Sequence, residues 1–173
     1  TTKGPMTTTK DVIKYERTFG MTVMVGKGFY APNDMSFGPN GRMYVLNRSI
    51  EFRGLGHGMR VSICDSEDGY YGSFGTFGNS RGQFTWPSAI CCSPSGEVYV
   101  ADEYLQKIMT FDLDGNFIDE WGCAGSRQGE FDTPSGLAIG SDGNIYVSDT
   151  YNHRVQVFTS EGEFIRTFGS EGS

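Results

Sequence analysis

Asp149, Asn152, His153 and Arg154 fall within the six-residue run DTYNHR, which brings a carboxylate, an amide, an imidazole and a guanidinium into one short segment. Such a group could bind a ligand or move a proton, or it could be a turn pinned by its own ion pair. Asp149 and Arg154 are close enough in sequence to pair across a tight turn, and the spacing recurs at Asp102 and Lys107. A charged pair that recurs reads as scaffolding, and His153 reads as a turn residue that packs and hydrogen-bonds. A second group is basic: Arg48, Arg53, His57 and Arg60, with Glu51, lie in a glycine-rich stretch. It could form an anion site for a carboxylate or phosphate. It could equally be a solvated loop that covers an edge or meets a partner chain.

Other chemistries lack their residues. Asp112-Leu-Asp114-Gly115-Asn116 imitates the start of a calcium loop, but no acid follows at the twelfth position, and turn chemistry explains it. Cys64, Cys91, Cys92 and Cys123 lack the paired spacing that zinc requires. They read as reduced, buried thiols, which leans toward a reducing, cytoplasmic setting without fixing the compartment. Cys91 and Cys92 are adjacent in an apolar run, so in a strand they point to opposite faces. No nucleophile elbow or phosphate-cradling glycine loop is present. No catalytic set is assembled, and calcium or zinc could be held only with ligands from outside this sequence.

The elements that position these residues are legible from repetition. Sliding the stretch 131–169 back by 47 positions lays Phe131 on Phe84, Pro134 on Pro87, Tyr146-Val147 on Tyr99-Val100, Asp149 on Asp102 and Gly169 on Gly122. A fixed period of this size marks a repeat architecture. Gly20 to Phe29, Gly75 to Phe84 and Gly122 to Phe131 are each separated by nine positions, so one linker geometry is expected three times. Turns at 39–42, 94–97 and 141–144 each carry a central glycine, as tight hairpins require. Each repeat then holds four short strands, placed in the last copy at 136–140, 144–148, 154–159 and 163–168. The first copy carries about nine extra residues after Asn47, between its second and third strands.

With 25 Gly and 14% aromatic residues in 173, the chain is expected to be all-β with almost no helix. A net charge of −7 disfavours nucleic-acid binding. No run of about 18 apolar residues is present to form a membrane helix.

The run YVSDTYNHRVQVF at 146–158, preceded by PSGLAIGSDGN and followed by GEFIRTFG, resembles an NHL repeat, including the Asn152-His153-Arg154 signature. The second copy keeps the frame, with Leu105-Gln106-Lys107 in place of the signature. The resemblance covers residues 15–169 and implies a β-propeller of four-stranded blades, in a family whose rings have six. The expected layout is a lead-in at 1–14, an orphan outer strand at 15–20, and blades at 21–75 (with an insertion at 48–60), 76–122 and 123–169. A partial linker follows at 170–173. Three blades cannot close a ring, so a second copy, another chain or a further segment is expected to complete it. The resemblance also places ligands on the face bearing the second-to-third-strand turns, which makes Tyr104 and Tyr151 candidates beside Arg48, Arg53, His57 and Arg60. Three functions follow: a non-catalytic binding or assembly module, which the residues favour; part of a propeller lyase or hydrolase with a metal-assisted channel site; and, least, RNA binding.

Overall fold

The computed structural model describes Thr18, residues 27–48 and residues 58–170. The expected outer strand at 15–20 lies, Thr18 aside, outside the described residues, as do Glu51, Arg53 and His57. Three four-stranded antiparallel sheets follow one another along the chain, each with its strands in sequence order. Blade 1 comprises β1 (Pro32–Phe37), β2 (Met43–Asn47), β3 (Arg60–Cys64) and β4 (Tyr70–Phe74). Blade 2 comprises β5 (Pro87–Cys92), β6 (Glu97–Asp102), β7 (Lys107–Asp112) and β8 (Phe117–Trp121). A short parallel pair, β9 (Cys123–Ala124) and β10 (Glu130–Phe131), folds the linker that follows. Blade 3 comprises β11 (Pro134–Ile139), β12 (Ile145–Asp149), β13 (Arg154–Phe158) and β14 (Phe164–Phe168). Helix is confined, among the described residues, to a 3-10 turn at Thr150–Asn152. The all-β, blade-by-blade expectation holds.

Local chemistry explains the repetition. In the two described linkers, Phe77 bridges Phe84 and Ala124 pairs with Phe131, both in parallel. Gly75 and Gly122 sit at φ +77° and +89°, each so near the buried Phe84 or Phe131 ring that an added Cβ would lie 2.0 or 2.4 Å from it. Only glycine serves at these two corners.

The core lies between sheets. Blades 1 and 2 bury Tyr44, Leu46, Val61, Ile63 and Phe74 against Ile90, Val98, Val100 and Phe111. Blades 2 and 3 bury Ala89, Cys91, Tyr99, Ala101 and Ile108 against Ile145, Val147 and Phe158. The central blade is therefore apolar on both faces: β6 is almost wholly buried, while β12 alternates buried and partly exposed residues. Cys91 belongs to the second core and its neighbour Cys92 packs against the first, as the pleat dictates. Cys64 and Cys91 are buried and Cys92 partly so, and burial pushes their thiols up to about 11, 12 and 11 respectively. Cys123 departs from the expectation of buried thiols: it lies exposed in the linker after blade 2.

Each seam also carries polar stitches. Tyr44 Oη donates to Leu113 O (2.8 Å) across the first seam, and Tyr99 Oη donates to Ser160 O (3.2 Å) across the second. At the inner rim of the first seam, Asn33 Nδ2 donates to Ser88 O (2.7 Å). There Ile90 N donates to Asp34 Oδ2 (2.9 Å) and Cys92 N to Ser36 Oγ (3.0 Å), which satisfies backbone groups on the strand edge that no neighbour covers.

Candidate functional site: the face of the second-to-third-strand turns

Pro32, Pro87 and Pro134 pair with Asn47, Asp102 and Asp149, with a register irregularity after each proline. The linker thus enters each blade beside the end of its second strand. The residue at that end is fully buried in all three blades, and a buried polar group must be satisfied. Each one grips backbone 17 residues upstream: Tyr30 N to Asn47 Oδ1 (2.8 Å), Thr85 N to Asp102 Oδ2 (2.7 Å) and Asp132 N to Asp149 Oδ1 (2.7 Å).

The remaining bonds differ between blades. Asp102 also accepts from the backbone N–H groups of Trp86, Tyr104 and Leu105, at 2.9 to 3.1 Å. Its carboxylate is therefore saturated by main chain, and Lys107 pairs instead with Glu120 at 3.2 Å. The expected Asp102–Lys107 pair is replaced for that reason. The Asp149–Arg154 pair is present: Arg154 Nε lies 2.8 Å from Asp149 Oδ2, which also accepts from Asn152 Nδ2 (2.9 Å) and Gln156 Nε2 (3.1 Å). The rest of the Arg154 guanidinium donates to Ser126 O, Arg127 O and Glu130 O, at 2.7 to 2.9 Å. Asn152 Nδ2 also donates to Gly125 O (2.9 Å). The signature residues are a clasp on the preceding linker. His153 supplies the turn's exit, at φ 52°, with its N–H on Thr150 O (3.1 Å) and its side chain exposed.

Arg48 and Arg60 do not form a shared anion patch. Arg48 Nη2 lies 2.6 Å from Glu103 Oε1, and the guanidinium sits 4.8 Å from the Trp86 ring centroid. Arg60 is buried in β3, donating to Gly28 O (3.2 Å) and Ser62 Oγ (3.3 Å), and burial holds its pKa below the ordinary arginine value. Both cations are committed within the fold. Among the described residues no group of three or more His, Cys, Asp or Glu side chains could hold a metal ion. The Asp112 carboxylate, in the segment that imitates a calcium-loop start but reads as a turn, accepts from Asn116 Nδ2 (2.7 Å), Asn116 N (2.8 Å) and Asp114 N (2.9 Å). These bonds, led by the Asn116 side chain, hold its pKa below the ordinary aspartate value.

What the face leaves open is aromatic. Tyr104 and Tyr151 occupy the same turn position in neighbouring blades and are 63% and 67% exposed. Trp86, half-buried, lies 6.5 Å from Tyr104 between ring centroids. Trp86 was not singled out from sequence, although a tryptophan beside the blade-entry proline in a polar linker was the available signal. A cavity beside Arg154, lined by Ser126, Arg127, Gln128 and Glu130, has an arginine whose donors are already engaged.

Successive four-stranded antiparallel blades joined by equal linkers define a β-propeller. The NHL repeat model matches residues 131–158, within blade 3 and its linker, and the chain as a whole has the fold of a part-propeller. Among curated proteins, the B-box type zinc finger protein ncl-1 of Caenorhabditis elegans is 42% identical over 48 residues, which is 28% of this chain and 6% of that protein. Among solved structures, hydrazine synthase of Kuenenia stuttgartiensis is similar with a TM-score of 0.61 at 18% identity, over 89% of this chain and 40% of its own. A gluconolactonase from Xanthomonas campestris gives 0.61 at 19% identity, over 90% and 52%. Virginiamycin B lyase from Staphylococcus aureus gives 0.60 at 15% identity, over 83% and 42%. At these identities the likeness is one of fold, and the chain spans about half the length of these structures or less.

Proposed function

We propose that this chain is a non-catalytic binding module that recognises an apolar or aromatic segment of a protein partner on the face carrying Trp86, Tyr104 and Tyr151. The observation behind this reading is a division of labour on one face. The acids Asp102 and Asp149 and the cation Arg154 are spent on backbone and linker, whereas the tyrosines of the same turns project into solvent. Exposed aromatic side chains on rigid turns offer large contact area at small ordering cost, which is why Tyr and Trp dominate protein–protein hot spots. Arg48, stacked on Trp86 and neutralised by Glu103, extends that platform. The net charge of −7 fits a protein partner better than a phosphate backbone.

The test is binding to an immobilised random peptide library, followed by titration of the retained peptides. Retained sequences should be rich in apolar and aromatic residues, and Tyr104→Ala with Tyr151→Ala should weaken them about tenfold or more while Tm stays unchanged. Undiminished affinity in the double variant would overturn the reading. So would a stoichiometric metal ion in the purified protein together with hydrolase or lyase turnover.

A further inference from the structure

The first strands of successive blades, β1, β5 and β11, adjoin one another, and each has one edge that no strand of its own sheet covers. Which backbone groups lie on that inner edge follows from the alternation of an antiparallel ladder. Gly140 N donates to Asn144 O, toward β12, so Gly136 and Ala138 are turned the same way and Leu137 and Ile139 are turned inward. The same count, from Ser93 N donating to Glu97 O, makes Ile90 and Cys92 the inward residues of β5. The two registers are identical: Ile90 pairs with Val100, and Leu137 pairs with Val147.

The two inner edges are finished differently. Along β5 they are closed by side chains of β1: Asn33 Nδ2 donates to Ser88 O (2.7 Å), and Asp34 Oδ2 and Ser36 Oγ accept from Ile90 N (2.9 Å) and Cys92 N (3.0 Å). Asp34 Oδ1 also accepts from Met35 N at 2.8 Å, so one carboxylate closes the edges of two strands. The corresponding residues of β5, which face β11, are Ser88, Ala89 and Cys91. Ser88 Oγ donates to Pro134 O (2.6 Å), but Ala89 has no polar side-chain atom and Cys91 packs into the apolar core. Among the described residues nothing accepts from Leu137 N or Ile139 N. Nor does β11, with the sequence PSGLAI, carry a charge to guard its edge. The strands on either side, β5 and β12, both belong to the chain, so residue type at positions 89 and 91 sets the opening.

We infer that the inner edge of β11 binds the main chain of an extended peptide through the backbone groups of Leu137 and Ile139. Two N–H groups and their carbonyls, two residues apart on one edge, match the repeat of an extended strand. Strand addition to such an edge draws its affinity from main-chain bonds. A compact anion would meet the donors and leave the carbonyls without a partner. The edge starts at the aromatic face, where the Ser135 and Thr150 hydroxyls are hydrogen-bonded beside Tyr151. A segment held by the tyrosines can therefore continue along β11, although the edge recognises main chain and does not require them.

The test uses the 15N-labelled chain and a capped, uncharged pentapeptide, acetyl-Thr-Val-Thr-Val-Thr-amide. Before peptide is added, the amides of Leu137 and Ile139 should exchange with solvent faster than those of Ile90 and Cys92. At about five times a Kd expected near 1 mM, exchange at Leu137 and Ile139 should slow about sixfold, since only the free form exchanges. Ile90 and Cys92 should not respond, and the peptide methylated on all its backbone nitrogens should have no effect. Cys91→Ser places a hydroxyl where Ser36 stands in the first seam. It should slow exchange at Ile139 in the free chain and weaken the peptide about threefold or more. Should that variant fail to fold, Ser36→Ala gives the reverse test: Cys92 N is freed, and its resonance should begin to respond to peptide. Tyr104→Ala with Tyr151→Ala should leave the response intact, which separates failure here from failure on the aromatic face. No response at Leu137 and Ile139 up to about 5 mM, an equal response at Ile90 and Cys92, or a response undiminished by methylation overturns the proposal. So does a response that disappears with the two tyrosines.

Discussion

The second-to-third-strand turns of blades 2 and 3 do one job with different chemistry. In blade 3 the clasp is made by side chains: Asn152, Arg154 and Gln156 converge on Asp149 and reach across to the linker carbonyls of Gly125, Ser126, Arg127 and Glu130. In blade 2 it is made by main chain, four N–H groups closing on Asp102, while Leu105 joins the core and Gln106 accepts from Thr133 N at 2.7 Å. The element constant to blades 2 and 3 is the buried acid, and the signature triplet is one of two ways to surround it. Blade 1 offers a third version: Asn47 keeps the bond to the linker and uses its amide hydrogens on Val45 O, Arg60 O and Ser62 Oγ.

The comparison is broken most directly at the acids. Asp102→Ala strands four N–H donors in a buried site and should cost about 3 kcal/mol or more in chemical denaturation. Asp149→Ala should cost about 3 to 5 kcal/mol, because it leaves the Arg154 charge without its carboxylate. Equal and small losses would mean that the linkers hold without the acids. The next effect is at the cations. Arg154→Lys should lose about 1 to 3 kcal/mol, since an ammonium cannot address Asp149 and three carbonyls at once. Lys107→Arg at the corresponding position should stay within about 0.5 kcal/mol, because its partner Glu120 is a single carboxylate.

A smaller effect separates the blades at acid pH. The third-to-fourth-strand turn of blade 2 is organised by Asp112, and the corresponding residue of blade 3 is Thr159, whose Oγ1 accepts from Glu163 N at 3.2 Å. The folded pKa of Asp112 is lowered. Its contribution is therefore present above the ordinary aspartate value and lost as pH falls through the folded one. Below about pH 4 the β7–β8 turn should lose more protection than the β13–β14 turn, with protection taken as hydrogen exchange relative to the intrinsic rate at each pH. The β13–β14 carboxylate Glu161 also has a lowered pKa, but it is held by the Ser160 hydroxyl, whereas Asp112 holds turn N–H groups. Equal loss of protection in both turns would show that Asp112 is not the cause.

Much of this was legible in the sequence because the repeat supplied internal controls. The four strands of the last copy fall within two residues of where spacing placed them, and the opposed packing of Cys91 and Cys92 follows from the pleat alone. The Asp149–Arg154 pair was legible too, since both partners sit at the ends of paired strands. Its supposed echo at Asp102 and Lys107 was not, because nothing in the spacing reveals that backbone N–H groups have already filled a carboxylate. The basic insertion misled for a related reason: charge counted along the chain does not tell that Arg60 lies inside β3 or that Arg48 faces Glu103. Composition locates charges, whereas only the fold says which are already neutralised.

Cys91 and Cys92 also make the central strand a two-channel gauge. They are joined by one peptide bond, yet each reads the solvent access of a different inter-blade core. Exposed Cys123 should consume thiol reagent first and mark zero on the scale. After that, the order in which the two neighbours become reactive under gentle denaturation would report which seam opens first, with no mutation introduced.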